Sequence, residues 1–110
     1  MTNQEVLHTF YDAFAKRDHV TMNSLYHEQA IFSDPVFKSL ASDEVRSMWH
    51  MLCVRGKDLE LSYEVLDDNH VEWKANYTFS TTGRFVKNEI VATFEFKEGL
   101  IFRHVDNFNF

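Results

Sequence analysis

Hydrophobic residues in the first 55 positions recur at helical spacing. Thr2 and Glu5 have the spacing of a capping box, and apolar residues follow at helical intervals from Val6 to Phe14. This pattern predicts a first helix that ends near Arg17.

Two further helices are predicted before residue 57. Asp18 is expected to cap a short second helix whose apolar side contains Val20, Met22, Leu25 and Tyr26. A first strand is predicted to begin with Ala30-Ile31-Phe32 and to end at the Asp34-Pro35 break, and a loop is expected after that break. Ser42 is the expected N-cap of a third helix that ends at Arg55 and Gly56.

The hydrophobic period changes to two after Asp58, which is the period of a half-buried strand. Turn residues divide this half at 67–69, 82–83 and 98–99. Strands are predicted over Leu59–Val65, Val71–Phe79, Phe85–Phe96 and Ile101–Phe110. Helices followed by an antiparallel meander predict an α+β fold in which three N-terminal helices pack on one face of a sheet.

Length and composition favour one folded domain that spans residues 1–110. Hydrophobic residues make up 45% of the chain and only three glycines and one proline occur, which is not the composition of a disordered protein. Eleven phenylalanines exceed what a small core needs for bulk. Because aromatic side chains often line apolar cavities, the composition favours a pocket.

Charge and cysteine content limit the partners. The formal charge of −6, without a cluster of Lys or Arg, argues against nucleic acid and anionic membrane surfaces. No apolar run approaches the ~18 residues of a membrane span, and the N-terminus lacks the regions of a signal peptide. Cys53 stands alone, so the chain has no internal disulfide. We therefore expect a cytoplasmic protein.

Asp34 is a candidate general base. It precedes Pro35, which favours extended geometry for Asp34 at a strand end, on the same face as Phe32. A carboxylate placed among aromatic rings resists ionisation and can work as a base near neutral pH. The alternative is structural, because Asp-Pro pairs commonly start turns.

His104 and Asp106 are further candidates for proton transfer. Both fall on the aromatic-rich face of the last predicted strand, roughly 6–7 Å apart. A histidine beside a carboxylate can act as an acid, a base or a hydrogen-bond donor. The alternative is a polar pair at a solvated cavity mouth. Asn88 and the hydroxyls of Tyr63 and Tyr77 are the other polar groups expected on this face.

The spacing of the six histidines matches neither the helical pair nor the Cys/His pattern of zinc sites, so neither a metal nor a cofactor is expected. The sequence also lacks a phosphate-binding glycine loop and a nucleophile elbow.

Apolar residues also occur on the outward face of the last two predicted strands. Phe85, Val91, Ile101 and Val105 would be costly to leave in water, at roughly 1.5–3 kcal/mol each. We therefore predict a homodimer that forms through the back of the sheet.

Four segments together resemble the nuclear transport factor 2-like superfamily: 11–14, 32–37 (FSDPVF), 48–49 and 104–108 (HVDNF). The closest similarity is to its small SnoaL-like branch, and it spans nearly the whole chain. The resemblance implies a cone-shaped α+β barrel with an apolar cavity. It also implies an acid on the sheet as proton carrier.

Asp34-Pro35 resembles the Asp-Pro of ketosteroid isomerases, whose aspartate moves a proton next to a carbonyl. The two donors that stabilise the enolate oxygen in those enzymes align here with Phe10 and Ala92. Neither residue can donate a hydrogen bond from its side chain. A steroid isomerase is therefore not expected.

The expected function is the binding of a small, largely apolar molecule, with proton-transfer chemistry as its catalytic form. Its alternative is a non-catalytic module for ligand binding or dimerisation. The candidate catalytic residues are Asp34, His104 and Asp106. The candidate ligand-binding residues are Tyr11, Phe14, Tyr26, Phe37, Trp49, Trp73, Tyr77, Asn88 and Phe108.

Overall fold

The computed structural model describes residues 1–79 and 81–109. Within them the elements follow in the order α1 (Asn3–Ala15), α2 (His19–Ser24), β1 (Tyr26–Ser33), β2 (Leu40–Ala41), α3 (Ser42–Arg55), β3 (Glu60–Val65), β4 (His70–Phe79), β5 (Arg84–Lys97) and β6 (Leu100–Phe108). Phe110, predicted at the end of the last strand, lies outside the described residues.

The strands form one sheet in the order β2-β1-β6-β5-β4-β3. Neighbouring strands are antiparallel except for β1 and β6, which are parallel. The sheet is curved and unclosed, since β2 and β3 form its two edges. The predicted α+β fold with N-terminal helices on a mainly antiparallel sheet is confirmed.

Helix α1 begins with the predicted capping box. The Thr2 hydroxyl accepts a hydrogen bond from the Glu5 amide, and the Glu5 carboxylate accepts one from the Thr2 amide. The apolar side of the helix is fully buried, as at Val6 and Phe14. The helix ends at Ala15, because Arg17 adopts a φ of 57° that no α-helix continues.

Helix α2 has the predicted Asp18 cap, whose carboxylate accepts a hydrogen bond from the Thr21 amide at 3.1 Å. Two predictions for this helix are wrong. Val20 is exposed rather than packed. Tyr26 is the first residue of β1, where it pairs with Ile101 in the sheet.

The start of α3 also differs from the prediction. Ala41 is the N-cap, and its amide donates to the Glu44 carboxylate at 2.9 Å. Ser42 is the first helical residue, and its hydroxyl donates to the His27 carbonyl. The predicted loop before α3 contains the two-residue strand β2, a pairing too short for a periodic pattern to reveal.

The alternation of β6 is interrupted at Phe102. Strand β5 pairs Glu95 with Arg103 but Phe96 with Ile101, so Phe102 is an extra residue. A bulge of this kind exchanges the two faces of the strand on one side of it. Ile101 is therefore fully buried, and the prediction that it faces outward is wrong.

The core lies between the helices and the concave face of the sheet. It is dominated by fully buried aromatic side chains, among them Phe10, Phe14, Phe32 and Phe94. Among residues 1–79 and 81–109, no helix is long and apolar enough to cross a bilayer.

Candidate functional site

A cavity of about 310 Å³ opens at one end of the core, between α3, the segment after β1 and the concave face of β4, β5 and β6. Apolar side chains make up most of its wall: Phe32, Pro35, Val36, Phe37, Met48, Trp49, Met51, Leu52, Trp73, Phe79, Val86, Ile90 and Phe108. Its polar residues are Asp34, Tyr77, Arg84, Asn88 and Asp106.

A wider groove of about 520 Å³ lies between residues 28–31 of β1 and the start of α3. Glu28, Asp43 and Arg46 give it charges of both signs, and Glu28 and Asp43 are exposed. Because binding sites for small molecules are mostly apolar with few polar groups, the smaller cavity is the better candidate.

The predicted site residues divide into two groups. Those that border the cavity are Asp34, Phe37, Trp49, Trp73, Tyr77, Asn88, Asp106 and Phe108. Those that lie outside its wall, buried in the core, are Tyr11, Phe14, Tyr26 and His104. The roles assigned to them remain predictions.

Asp106 is the best-placed carboxylate of the cavity. It lies on β6 opposite Ala92 of β5, and its side chain is 4% exposed. Its Oδ1 lies 2.9 Å from Nε2 of His104. Within the described residues no other hydrogen bond reaches this carboxylate, and the residue borders the cavity.

The contacts continue behind His104 into the core. Its Nδ1 lies 2.8 Å from the Tyr26 hydroxyl, and the Trp49 indole N–H donates to that hydroxyl at 2.9 Å. We refer to Trp49, Tyr26, His104 and Asp106 as the buried network. Burial raises the pKa of Tyr26 well above its ordinary value; the Trp49 hydrogen bond opposes this rise and the Asp106 charge adds to it.

Aromatic rings enclose the network. The His104 ring centroid lies 4.3 Å from that of Phe94, 4.9 Å from Phe32 and 5.8 Å from Phe10. Strand pairing produces this arrangement, because Phe32 and Phe94 are the direct neighbours of His104 on β1 and β5. In such apolar surroundings hydrogen bonds are strong and unpaired polar groups are costly.

Asp34 has a different environment at the cavity mouth. Its Oδ1 accepts hydrogen bonds from the amides of Val36 at 2.8 Å and Phe37 at 2.5 Å. Its own amide donates to the Phe37 carbonyl. The carboxylate therefore closes its own turn, which is the structural interpretation of the Asp-Pro pair, while the residue still borders the cavity.

Tyr11 and Tyr63 lie on the α1 side of the core. Tyr11 is fully buried, and its hydroxyl has no hydrogen-bond partner among the described residues. Burial first, and then the Asp106 charge, raise the pKa of Tyr11 well above its ordinary value. The Tyr63 hydroxyl, expected on the inner face, donates to Asp12 on α1 at 2.6 Å instead.

Arg84 is the polar residue of the cavity that was not predicted from the sequence. It begins β5 and shares a face with Val86, Asn88 and Ile90 at a spacing of two. Continuing the alternation of this strand by one step toward Gly83 would have included it.

The described residues contain no group of three His, Cys, Asp or Glu side chains close enough to hold a metal ion. The polar side chains that border the cavity are two carboxylates, an amide, a phenol and a guanidinium.

The fold agrees with the comparisons to known proteins. A family model described as the SnoaL-like domain matches residues 7–104, and the chain belongs to this family. No curated protein matches the sequence.

Several solved structures share the fold. An uncharacterised cystatin-fold protein from Novosphingobium aromaticivorans superposes with a TM-score of 0.78 at 16% identity, over 96% of this chain and 97% of that one. A proposed isomerase from Bacillus subtilis superposes with a TM-score of 0.75 at 17% identity, over 99% of this chain and 90% of that one. A proposed polyketide cyclase from Xanthomonas campestris superposes with a TM-score of 0.73 at 16% identity, over 97% of this chain and 90% of that one. At these identities the similarity establishes the fold alone.

Proposed function

We propose that the cavity binds a small, largely apolar molecule and that Asp106 removes a proton from it. One observation carries this proposal: a buried carboxylate borders an apolar cavity, with one oxygen held by His104 and the other without a hydrogen-bond partner among the described residues. A base held in this way needs little reorganisation to react.

The chemistry that fits is the removal of a proton from a carbon next to a carbonyl. Asp106 Oδ2 takes the proton, and the C–H electron pair moves toward the carbonyl oxygen to form an enolate. Returning the proton to another atom gives an isomer, and attack of the enolate carbon on a second carbonyl gives a ring. Asn88 is assigned the hydrogen bond to the ligand oxygen, because its amide can donate.

The comparisons support this class of reaction without naming a substrate. The family and two of the similar structures, the proposed isomerase and the proposed polyketide cyclase, fit chemistry of this kind. Asp34 is the second candidate base, because it too borders the cavity. Its turn hydrogen bonds make Asp106 the stronger candidate.

Binding is tested by thermal shift with a panel of apolar ketones and β-diketones. A ligand at about 100 times its Kd stabilises the protein by about 2.7 kcal/mol. Ile90→Trp, which places a larger side chain in the cavity wall, should abolish the shift. A panel without any hit, or hits that Ile90→Trp leaves unchanged, would contradict binding in this cavity.

Catalysis is tested on a bound hit in deuterated water, by following the loss of its α-proton signal with NMR. Asp106→Asn should reduce the exchange rate at least about 100-fold, the lower end of what a general base contributes. Asp34→Asn is the matched variant and should change the rate little. A rate that depends on Asp34 alone would transfer the role of base to that residue.

The alternative function is a non-catalytic binding module. It would show stabilisation by the same ligands with no α-proton exchange above that of the free compound. The buried position of Asp106 favours the enzyme, because a binding site for apolar molecules has no need of a buried carboxylate.

A homodimer through the back of the sheet is a separate proposal. Phe85 is 63% exposed and Val105 is 36% exposed on that face. Ile101 does not take part, because it lies in the core. Sedimentation equilibrium should show a dimer that Phe85→Glu weakens, whereas a monomer at high protein concentration would contradict it. The cytoplasmic location likewise remains a prediction.

A further inference from the structure

The hydrogen bonds of the buried network have one possible direction. The Trp49 indole nitrogen has a hydrogen and no available lone pair, so it can only donate. The Tyr26 oxygen therefore accepts from Trp49 at 2.9 Å. The remaining hydrogen of Tyr26 then belongs to its only other partner among the described residues, Nδ1 of His104 at 2.8 Å.

This direction determines the state of His104. A ring nitrogen that accepts a hydrogen bond carries no proton, so Nδ1 is bare and the imidazole proton is on Nε2. That proton points to Oδ1 of Asp106 at 2.9 Å. The hydrogen-bond series is complete only if Oδ1 accepts this proton, and a carboxyl oxygen without a hydrogen of its own can do so.

The opposite arrangements leave buried groups unpaired. With the proton on Nδ1, or with an imidazolium, His104 would donate to Tyr26, and the Tyr26 hydrogen would have no acceptor. Tyr26 and His104 are each 1% exposed, so water cannot replace that bond.

The apolar surroundings of the His104 ring do not favour a charged imidazolium. The groups that pack on His104 from α1, α3 and β5 are the aromatic rings of Phe10, Trp49 and Phe94. From β1 they are Phe32 and Tyr26. Titratable groups near this cluster are Tyr26 itself, Asp106 and Tyr11, whose hydroxyl interacts electrostatically with Asp106.

We propose that Trp49, Tyr26 and His104 position Asp106: their one-directional hydrogen bonds hold His104 as the neutral Nε2–H tautomer, and this tautomer fixes Oδ1 of Asp106 as the acceptor. Tyr26 and His104 do not touch the ligand, so their role differs from the direct one predicted for both. The network also cannot carry a proton away, because Trp49 has no lone pair to receive one.

The mechanistic part of this inference rests on the proposed function. A proton taken by Asp106 Oδ2 has no route through His104, so it leaves that oxygen only on the cavity side, to the ligand or to water in the cavity. The tautomer itself depends only on the folded protein and is measured without a ligand.

The test is nitrogen-15 NMR of histidine-labelled protein near neutral pH. The His104 ring signals are identified by their loss in His104→Gln. We expect a protonated Nε2 and a bare Nδ1, with this tautomer favoured at least about tenfold, because the other one leaves buried hydrogen bonds unmade. An Nδ1–H tautomer, an imidazolium or an even mixture would overturn the proposal.

Two variants test the origin of the preference. Trp49→Phe removes the donor that sets the direction, and Tyr26→Phe removes the hydroxyl that donates to Nδ1. Both should bring the tautomer ratio toward unity, while Tyr63→Phe, on the α1 side of the core, should leave it unchanged. Amide spectra show whether each variant is folded. A folded Tyr26→Phe with the wild-type ratio would refute the role of Tyr26, even if no ligand were ever found.

Discussion

Asp106 and Asp34 border the same cavity but are held in opposite ways. The Asp106 carboxylate is 4% exposed and is held by the side chain of His104. Asp34 is half-buried, and its carboxylate is held by backbone amides of the turn that it starts. One carboxylate is thus supported by tertiary contacts and the other by local ones.

The difference shows how an aspartate becomes suited to chemistry or to structure. A turn aspartate gives its oxygen to the nearest amides, and its environment changes little with the rest of the fold. A buried aspartate depends on distant partners, because its charge is tolerated only where hydrogen bonds support it. Three substitution experiments test this contrast, and a pH series tests the buried tyrosines.

The largest effect is expected for His104→Leu. It leaves Asp106 without its partner in an apolar core, which should lower the free energy of unfolding by about 3–5 kcal/mol. Urea denaturation measures the loss. The double variant His104→Leu/Asp106→Leu should recover most of it, and a double variant as unstable as the single one would show that Asp106 is not the cause.

A smaller effect is expected for Tyr26→Phe, with Tyr11→Phe as its matched variant. Removing the Tyr26 hydroxyl leaves Trp49 and His104 unpaired and should cost about 1–3 kcal/mol of unfolding free energy. The Tyr11 hydroxyl has no partner among the described residues, so its removal should be neutral or stabilising. Equal losses in the two variants would mean that the Tyr11 hydroxyl is paired as well.

Asp34→Ala should cost less, about 1 kcal/mol, because it removes two turn hydrogen bonds from a partly solvated site. Asp34→Asn keeps an oxygen that can accept the same hydrogen bonds, so it should lower the free energy of unfolding by only about a few tenths of a kcal/mol. Thermal unfolding of the two variants measures the difference. If Asn is as harmful as Ala, the negative charge rather than the turn supports this region.

A further effect on stability is expected at alkaline pH. Burial, followed by the hydrogen bond to Asp12, raises the pKa of Tyr63 from 10.0 to about 12, and the pKa values of Tyr11 and Tyr26 are also raised. The folded state then holds these protons more tightly than the unfolded state does. The stabilisation that the protonated tyrosines contribute is complete below about pH 10, the unfolded-state pKa. It is lost as the pH rises toward their folded-state pKa values.

Urea unfolding at a series of pH values, with phenolate absorbance, measures this loss. Stability should change little up to about pH 10 and fall above it, and Tyr63→Phe should make the fall less steep. Stability that rises with pH in this range would contradict the assigned shifts.

Local patterns predicted most of the fold. The capping box of Thr2 and Glu5, the Asp18 cap and the alternation of β3 to β5 all appear as expected, because each depends on residues close together in the sequence. Predictions failed where a distant element intervened. Tyr26 belongs to a strand that pairs with β6, and the bulge at Phe102 moves Ile101 to the core.

The candidate site shows the same division. Period-two alternation placed Asn88 and Asp106 on the inner face, and both border the cavity. The same alternation predicted that His104 and Asp106 share this face, and their side chains are in contact. It could not show that His104 lies behind Asp106, or that Tyr26 and Trp49 complete the network.

By itself the amino-acid sequence determined most of the elements and their inward faces, since propensity and periodicity act over short stretches of the chain. The family was recognised from the resemblance of four segments. Tertiary structure alone decided which polar atoms meet: Tyr26 and His104 are 78 positions apart, and a parallel pairing of β1 with β6 brings them together. Hydrogen bonds act over about 3 Å, so partners of this kind are set by strand register and helix packing rather than by spacing along the chain.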